Sequence, residues 1–301
     1  MRPLRALVIY IAWIFIGGAL LAPWLDWLLR ACSHLFPRLA TVPFHRVLDR
    51  SFLMLALAGI WPLLRSLGAT SWREVGIIPP YGQSRKFFGG LLVGLVSLAV
   101  VAGIVVGAGG RVFMKSVPPR DAVGIVIGAL GTAAAVGVLE EILFRGAVFG
   151  GLRRVLHWPF ALAISSVVYA LAHFFLPSQL AGPVKWDSGL VLLPQVFAGF
   201  GDIRALLPGF LSLTLAGALL GAAYQRTGNL YFSIGLHAGW VFVLRIYSQI
   251  TDVAPGAPTW FWGSGKMTDG WLTFLAIAVT GVVVLYLPLG ERRGTYTIPQ
   301  K

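Results

Sequence analysis

Apolar residues run along this chain in long, nearly unbroken stretches, separated by short polar punctuation. About eight stretches approach or reach the ~20 residues that a helix needs to cross a bilayer. They cover residues 7–29, 52–67, 87–108, 122–150, 159–176, 205–225, 229–248 and 271–289. The runs are continuous rather than alternating, which predicts helices and not strands. Lipid accepts only helices or closed barrels as spanning forms. The expected fold is therefore all-α: a polytopic transmembrane helix bundle of about eight spans. The second stretch is short and holds Pro62. The fourth is longer than a bilayer requires and is expected to tilt or break near Gly124, Gly128 or Gly131. The first, within MRPLRALVIYIAWIFIGGALLAP, imitates a signal peptide. It is read as a retained span, since no small-residue cleavage site follows cleanly.

No linker or shift in composition divides the chain, and no internal repeat stands out, so 1–301 is expected to be a single integral membrane domain. Residues 178–204 mix polar and apolar positions around Pro183 and Pro194 and suggest an extracytoplasmic loop or a re-entrant element. Residues 252–270, with Pro255, Pro258, Trp260 and Trp262, suggest an ordered interfacial loop. Composition agrees with a membrane protein: 57% of residues are hydrophobic and 12% charged, where a soluble domain carries about 25% charged residues. The mean hydropathy is +0.80. The net charge of +13 comes from Lys and Arg scattered through short loops and span ends. That pattern anchors a protein beside anionic lipid. It lacks the basic stripe with interleaved aromatics that nucleic acid would require. Loop charges place Arg2, Arg5, Arg73, Arg85, Lys86, Arg153, Arg154, Arg226, Arg292 and Arg293 on the side of both termini. The opposite side carries Arg46, Arg50, Arg111, Lys115, Arg120, Lys185 and Arg204, offset by Asp49, Asp121, Asp187, Asp202, Asp252 and Asp269. The bias predicts cytoplasmic termini, in what is expected to be a bacterial inner membrane. Cys32 is the only cysteine, so no internal disulfide can form.

One stretch breaks the apolar pattern from inside. In AAAVGVLEEILFRGAVFG, Glu140 and Glu141 stand side by side, with Arg145 four residues after the second. A carboxylate near the bilayer centre costs roughly 2.5–3.5 kcal/mol on insertion scales, and the chain has only 11 acidic residues. Glu141 and Arg145 share a helix face and can pair. Glu140 lies about 100° away round the helix and is not committed to the guanidinium. Two histidines also fall in apolar spans. His173 follows Tyr169 at i+4 in SSVVYALAHFF, and His237 lies in YFSIGLHAGWVFVL. Ionisable groups within membranes face the bundle interior and pair, so Glu140, His173 and His237 are expected to share a water-accessible cavity. A Glu with a His partner suits taking a proton from water and delivering it to a leaving amine. His237 is only eight residues past Asn229, about 12 Å along a helix. It meets the others if the preceding turn is displaced into the membrane.

The set EEILFR (140–145), YALAH (169–173) and GLHAGWV (235–241) resembles the CAAX protease and bacteriocin-processing (CPBP, or Abi) family of intramembrane proteases. The resemblance covers about 120–245, a protease-like core, and SWREVGI (71–77) resembles the family's lead-in to a span. Tyr169 replaces the commoner Phe, and Val241 stands where Asn or another polar residue is usual. The resemblance implies peptide-bond hydrolysis in the bilayer, on a peptide or membrane-protein substrate. Glu140 would activate water, His173 would assist, and His237 would help bind the oxyanion. Arg145 would hold Glu141, and the Trp240 N–H would be a replacement donor for the missing group at Val241. A zinc ion on Glu140, His173 and His237 suits those ligand types, although no HExxH pair is present. A metal-free, Glu-activated water fits the residues equally. Two other classes stay open: a non-catalytic scaffold or immunity-type protein, and a proton-coupled transporter using Glu140 and His173 as a relay.

Overall fold

The structure, a computed structural model, describes residues 2–114, 119–175, 179–201 and 203–289. Lys115, Asp202, Arg292 and Arg293, whose charges entered the orientation argument, lie outside the described residues. Helix α1 (Arg2–Ala12) passes through a π-helical turn (Trp13–Gly17) into α2 (Gly18–Ala31), followed by α3 (Phe44–Ser66) and α4 (Ser84–Gly107). Strand β1 (Arg111–Phe113) precedes α5 (Pro119–Glu140), a π-helical segment (Glu141–Phe149) and α6 (Gly150–Leu152). Then come α7 (Trp158–Leu171), α8 (Ser188–Val196), α9 (Ile203–Thr227) and α10 (Tyr231–Ile250). The chain continues through β2 (Thr251–Val253), α11 (Thr259–Trp262) and α12 (Trp271–Tyr286).

Each expected interval holds a helix, and the fold is all-α apart from one two-stranded ladder. Arg5–His34, Phe44–Ser66, Ser84–Gly107, Asp121–Leu152 and Leu206–Thr227 are long and apolar enough to cross a membrane. The protein is thus an integral membrane protein. The second helix starts at Phe44 rather than at 52, and α8 forms within the stretch expected to be a loop or re-entrant element. The fourth span does not break at its glycines. Gly124, Gly128 and Gly131 sit inside continuous α-helix and face open space, with nothing within 4 Å of where a Cβ would stand. No neighbour forces a distortion there. The hydrogen-bond register changes instead at Glu141, where the helix widens to i→i+5 bonding. Such π segments concentrate at functional sites.

The chain divides into two compact units, Met1–Ala69 with Ala172–Asp202, and Thr70–Leu171 with Ile203–Lys301. The first is built around Ala19, Ala22, Phe44, Leu48, Leu192 and Val196. Small residues bring its helices close: a Cβ on Gly189 of α8 would lie 2.0 Å from the Ala19 carbonyl of α2. Asp26, 1% exposed, is held by the Arg30 Nε at 2.6 Å one turn along α2.

In the second unit, α10 packs against both α4 and α5. Gly90 and Gly94 of α4 meet the Phe232 and Leu236 carbonyls, where a Cβ would come within 2.1 and 2.2 Å. Gly235 and Gly239 of α10 answer them against the Phe87 and Leu91 carbonyls, at 2.0 and 2.7 Å. Two small-xxx-small pairs thus interlock, the arrangement that lets membrane helices gain packing energy where water drives nothing. On the other flank, a Cβ on Gly137 of α5 would meet the Ala238 Cβ at 3.1 Å. α12 ends against α9, whose Arg226 donates to the Val284 and Leu287 carbonyls at 2.7 and 3.0 Å. A cation thereby satisfies carbonyls that the helix end leaves open. β1 pairs antiparallel with β2, Arg111 opposite Val253.

Candidate functional site

The end of α5, the π segment, α7 and α10 bring five polar side chains of the second unit together. Glu140 closes α5, and Glu141 opens the π segment. Glu141 is completely buried and Arg145 is 2% exposed. The Arg145 Nη1 donates to the Glu141 Oε1 at 2.8 Å, the pair that the i+4 spacing predicted. The Arg145 guanidinium also lies over the Tyr169 ring, 4.2 Å from its centroid, a favourable placement for a desolvated cation. Phe144 packs edge-on to the same ring at 5.0 Å. Tyr169 is therefore clamped between the aromatic and the cation of the first motif.

His237 enters from α10. Its Nδ1 lies 2.9 Å from the Glu141 Oε1. Its Nε2 faces the Glu140 Oε2 at 3.8 Å and the Tyr169 Oη at a long 3.5 Å. The turn that leads into α10 and His237 is tied to the lead-in segment. Gly76, at φ +86°, carries the backbone through a conformation that favours glycine. Its carbonyl accepts from Leu230 N at 3.2 Å, next to the start of α10. A Cβ on Gly76 would also strike the Tyr224 ring at 2.4 Å.

The SWREVGI lead-in thus has a structural use. Val75 is completely buried, and its carbonyl and side chain approach Gly146 and Gly150 at the far end of the π segment. Beside it, Glu74 binds Thr70 and Arg154. The hydroxyl of Thr70 first, and the Arg154 guanidinium second, pull the Glu74 carboxyl down from its ordinary 4.5 to about 2.

Two expectations change. The indole N–H of Trp240, the candidate replacement donor, points to α4 and donates to the Ser97 Oγ at 2.9 Å. Its single donor is engaged there, so it does not serve an oxyanion in this arrangement. The expected zinc ligands on these helices also have partners of their own. The Glu141 Oε1 already takes two donors, which ties up the His237 Nδ1 and leaves Glu140 and the His237 Nε2 as a pair. Among the described residues, no group of three or more His, Cys, Asp or Glu is placed to hold a metal ion. His173 lies in a turn, Ala172–Phe174, that belongs to the first unit.

The sequence argument missed the bond between Glu141 and His237, which joins residues 96 positions apart, and the role of Ser97. It also passed over the spacing Gly90-xxx-Gly94 and Gly235-xxx-Gly239, a readable signal for the close approach that places His237.

No curated protein and no solved structure matches the chain. Residues 122–243 match the model of the family described as type II CAAX prenyl endopeptidase Rce1-like. This stretch carries all three motifs, and over it the chain is similar to that family, in agreement with the sequence resemblance.

Proposed function

We propose that this protein is an intramembrane endopeptidase in which Glu140 is the general base for water attack on a peptide bond. In this reading the His237 Nε2 takes up the proton from Glu140 and, as imidazolium, stabilises the anion that forms. The observation that carries this reading is the approach of the Glu140 Oε2 to the His237 Nε2, 3.8 Å apart, inside the Rce1-like stretch. Glu140 keeps a partly open side chain, 27% exposed, beside a histidine at 5%. The Oε2 itself is buried, and a carboxylate oxygen set beside a histidine nitrogen suits proton abstraction. The family's description suggests a prenylated CAAX tail as the substrate class. A peptide or membrane-protein substrate without the lipid is the alternative. The working membrane in this reading is a bacterial inner membrane, with both termini cytoplasmic.

The test uses wild-type protein and Glu140→Gln in lipid vesicles, given a fluorogenic prenylated CAAX peptide and its unprenylated counterpart. Glu140→Gln removes the proton acceptor at nearly constant shape. Turnover should fall about 10²–10⁴-fold with thermal unfolding unchanged. Undiminished cleavage by this variant would overturn the mechanism, and a non-catalytic scaffold predicts no cleavage by either protein.

A further inference from the structure

We infer that Glu141 is a positioning residue for His237, holding its imidazole in the tautomer that carries the proton on Nδ1 and turning Nε2 toward Glu140. Helical spacing alone assigns Glu141 only an ion pair with Arg145. The structure gives its Oε1 two partners, the Arg145 Nη1 at 2.8 Å and the His237 Nδ1 at 2.9 Å. Both contacts are buried, with the three side chains at 0%, 2% and 5% exposed.

The order of control runs from Arg145 to the ring. A buried guanidinium at this distance is matched as a charge pair by an ionised carboxylate. An ionised carboxylate can only accept, so the proton between the Glu141 Oε1 and the His237 Nδ1 belongs to the ring. A neutral imidazole with its proton on Nδ1 has a lone pair on Nε2. That nitrogen faces the Glu140 Oε2 and the Tyr169 Oη. A hydrogen bond at one ring nitrogen selecting the state of the other is the logic by which carboxylates orient catalytic and metal-bound histidines. The π widening contributes by placing Glu141, rather than Glu140, against the ring's Nδ1 edge. The groups facing His237 are thus Glu140, Glu141 and Tyr169, with Arg145 behind them.

This inference rests on the proposed function only for its use in catalysis, because the tautomer can be read without substrate. Full-length protein labelled with ¹⁵N-histidine, in lipid discs, would be compared by NMR with His237→Asn to isolate the ring's signals. The wild type should show a protonated Nδ1 and an unprotonated Nε2. Glu141→Gln keeps a carbonyl acceptor at the same place and should retain that pattern. Glu141→Leu/Arg145→Leu removes both charges together, so that no buried guanidinium is stranded, and should lose the pattern. A residue that merely shaped the helix would leave the ring unchanged in all three. A wild-type His237 protonated on Nε2 alone would overturn the assignment, as would a double variant with the wild-type pattern. If the double variant does not fold, the wild-type and Glu141→Gln spectra still decide. Cleavage lost in Glu140→Gln with the tautomer intact would separate the two claims.

Discussion

Among the described residues, two arginines are buried in the second unit, and they are treated differently. Arg111, 4% exposed, is saturated. Its Nε donates to the Thr251 Oγ1 at 2.8 Å, its Nη1 to the Ser264 carbonyl at 2.8 Å, and its Nη2 to the Thr251 carbonyl. Its guanidinium also lies 4.6 Å from the Tyr247 ring centroid. These partners are neutral and belong mostly to the backbone, so the residue works as a pin between β1, β2 and the loop before α12. Arg145 also sits over a tyrosine, yet its Nη1 donates to a carboxylate. Its Nη2 and the Glu141 Oε2 are buried without a hydrogen-bond partner among the described residues. Buried polar atoms are normally satisfied, and exceptions call for a reason. A pin engages all three of its guanidinium nitrogens with neutral partners, whereas a site keeps charged groups in a fixed, incompletely quenched arrangement.

Removing each arginine sharpens the contrast. Arg145→Ala leaves a buried carboxylate without its cation and should destabilise by about 3–5 kcal/mol. Arg111→Ala leaves neutral carbonyls and a hydroxyl, and should cost about 1–3 kcal/mol. Thermal unfolding of both variants in the same lipid discs measures the difference, and equal losses would erase the distinction. Helix α10 carries a part of each region, His237 near its middle and Tyr247 near its end. Gly235→Ala drives a Cβ into the Phe87 carbonyl and should cost about 1–3 kcal/mol along with proteolytic activity. Gly103→Ala, on the same α4 but facing open space, should be neutral or slightly stabilising. Loss of activity in both would detach the glycine contacts from the site.

The smallest effect belongs to a third pair, Glu74 with Arg154, whose side chains are 25% and 22% exposed. The fold holds Glu74 well below its ordinary value, so it favours the ionised form. Its contribution is fully present above about pH 4.5 and fades as the pH falls toward about 2. Exposure and screening keep it below about 1 kcal/mol. The stability gap between wild type and Glu74→Gln should close over that acid range; a gap that widened on acidification would reverse the sign.

The helices were legible because twenty consecutive apolar residues admit few alternatives. The Glu141–Arg145 pair was legible because four residues along a helix fix a shared face. The contact between Glu141 and His237 was not, since nothing in local spacing relates residues on separate helices. The π segment was equally hidden: in EILFRGAVF, apolar side chains on every face remove the periodicity that would distinguish one helical pitch from another. β1 and β2 are three residues each, too short to alternate visibly. The sharing of residues 120–245 between two compact units could not be read either, because no change in composition marks Ala172.

The widened helix also makes the first motif sensitive to length as well as to residue identity. A residue inserted or removed between Glu141 and Phe149, where a change of pitch did not absorb it, would turn the helix by about 100°. Everything downstream would rotate against everything upstream. Gly146 and Gly150 would leave Val75, while Glu140 would stay with α5. Substitutions here change one contact at a time. An insertion or deletion would uncouple the carboxylates from the arginine, from the lead-in and from the histidine in one step.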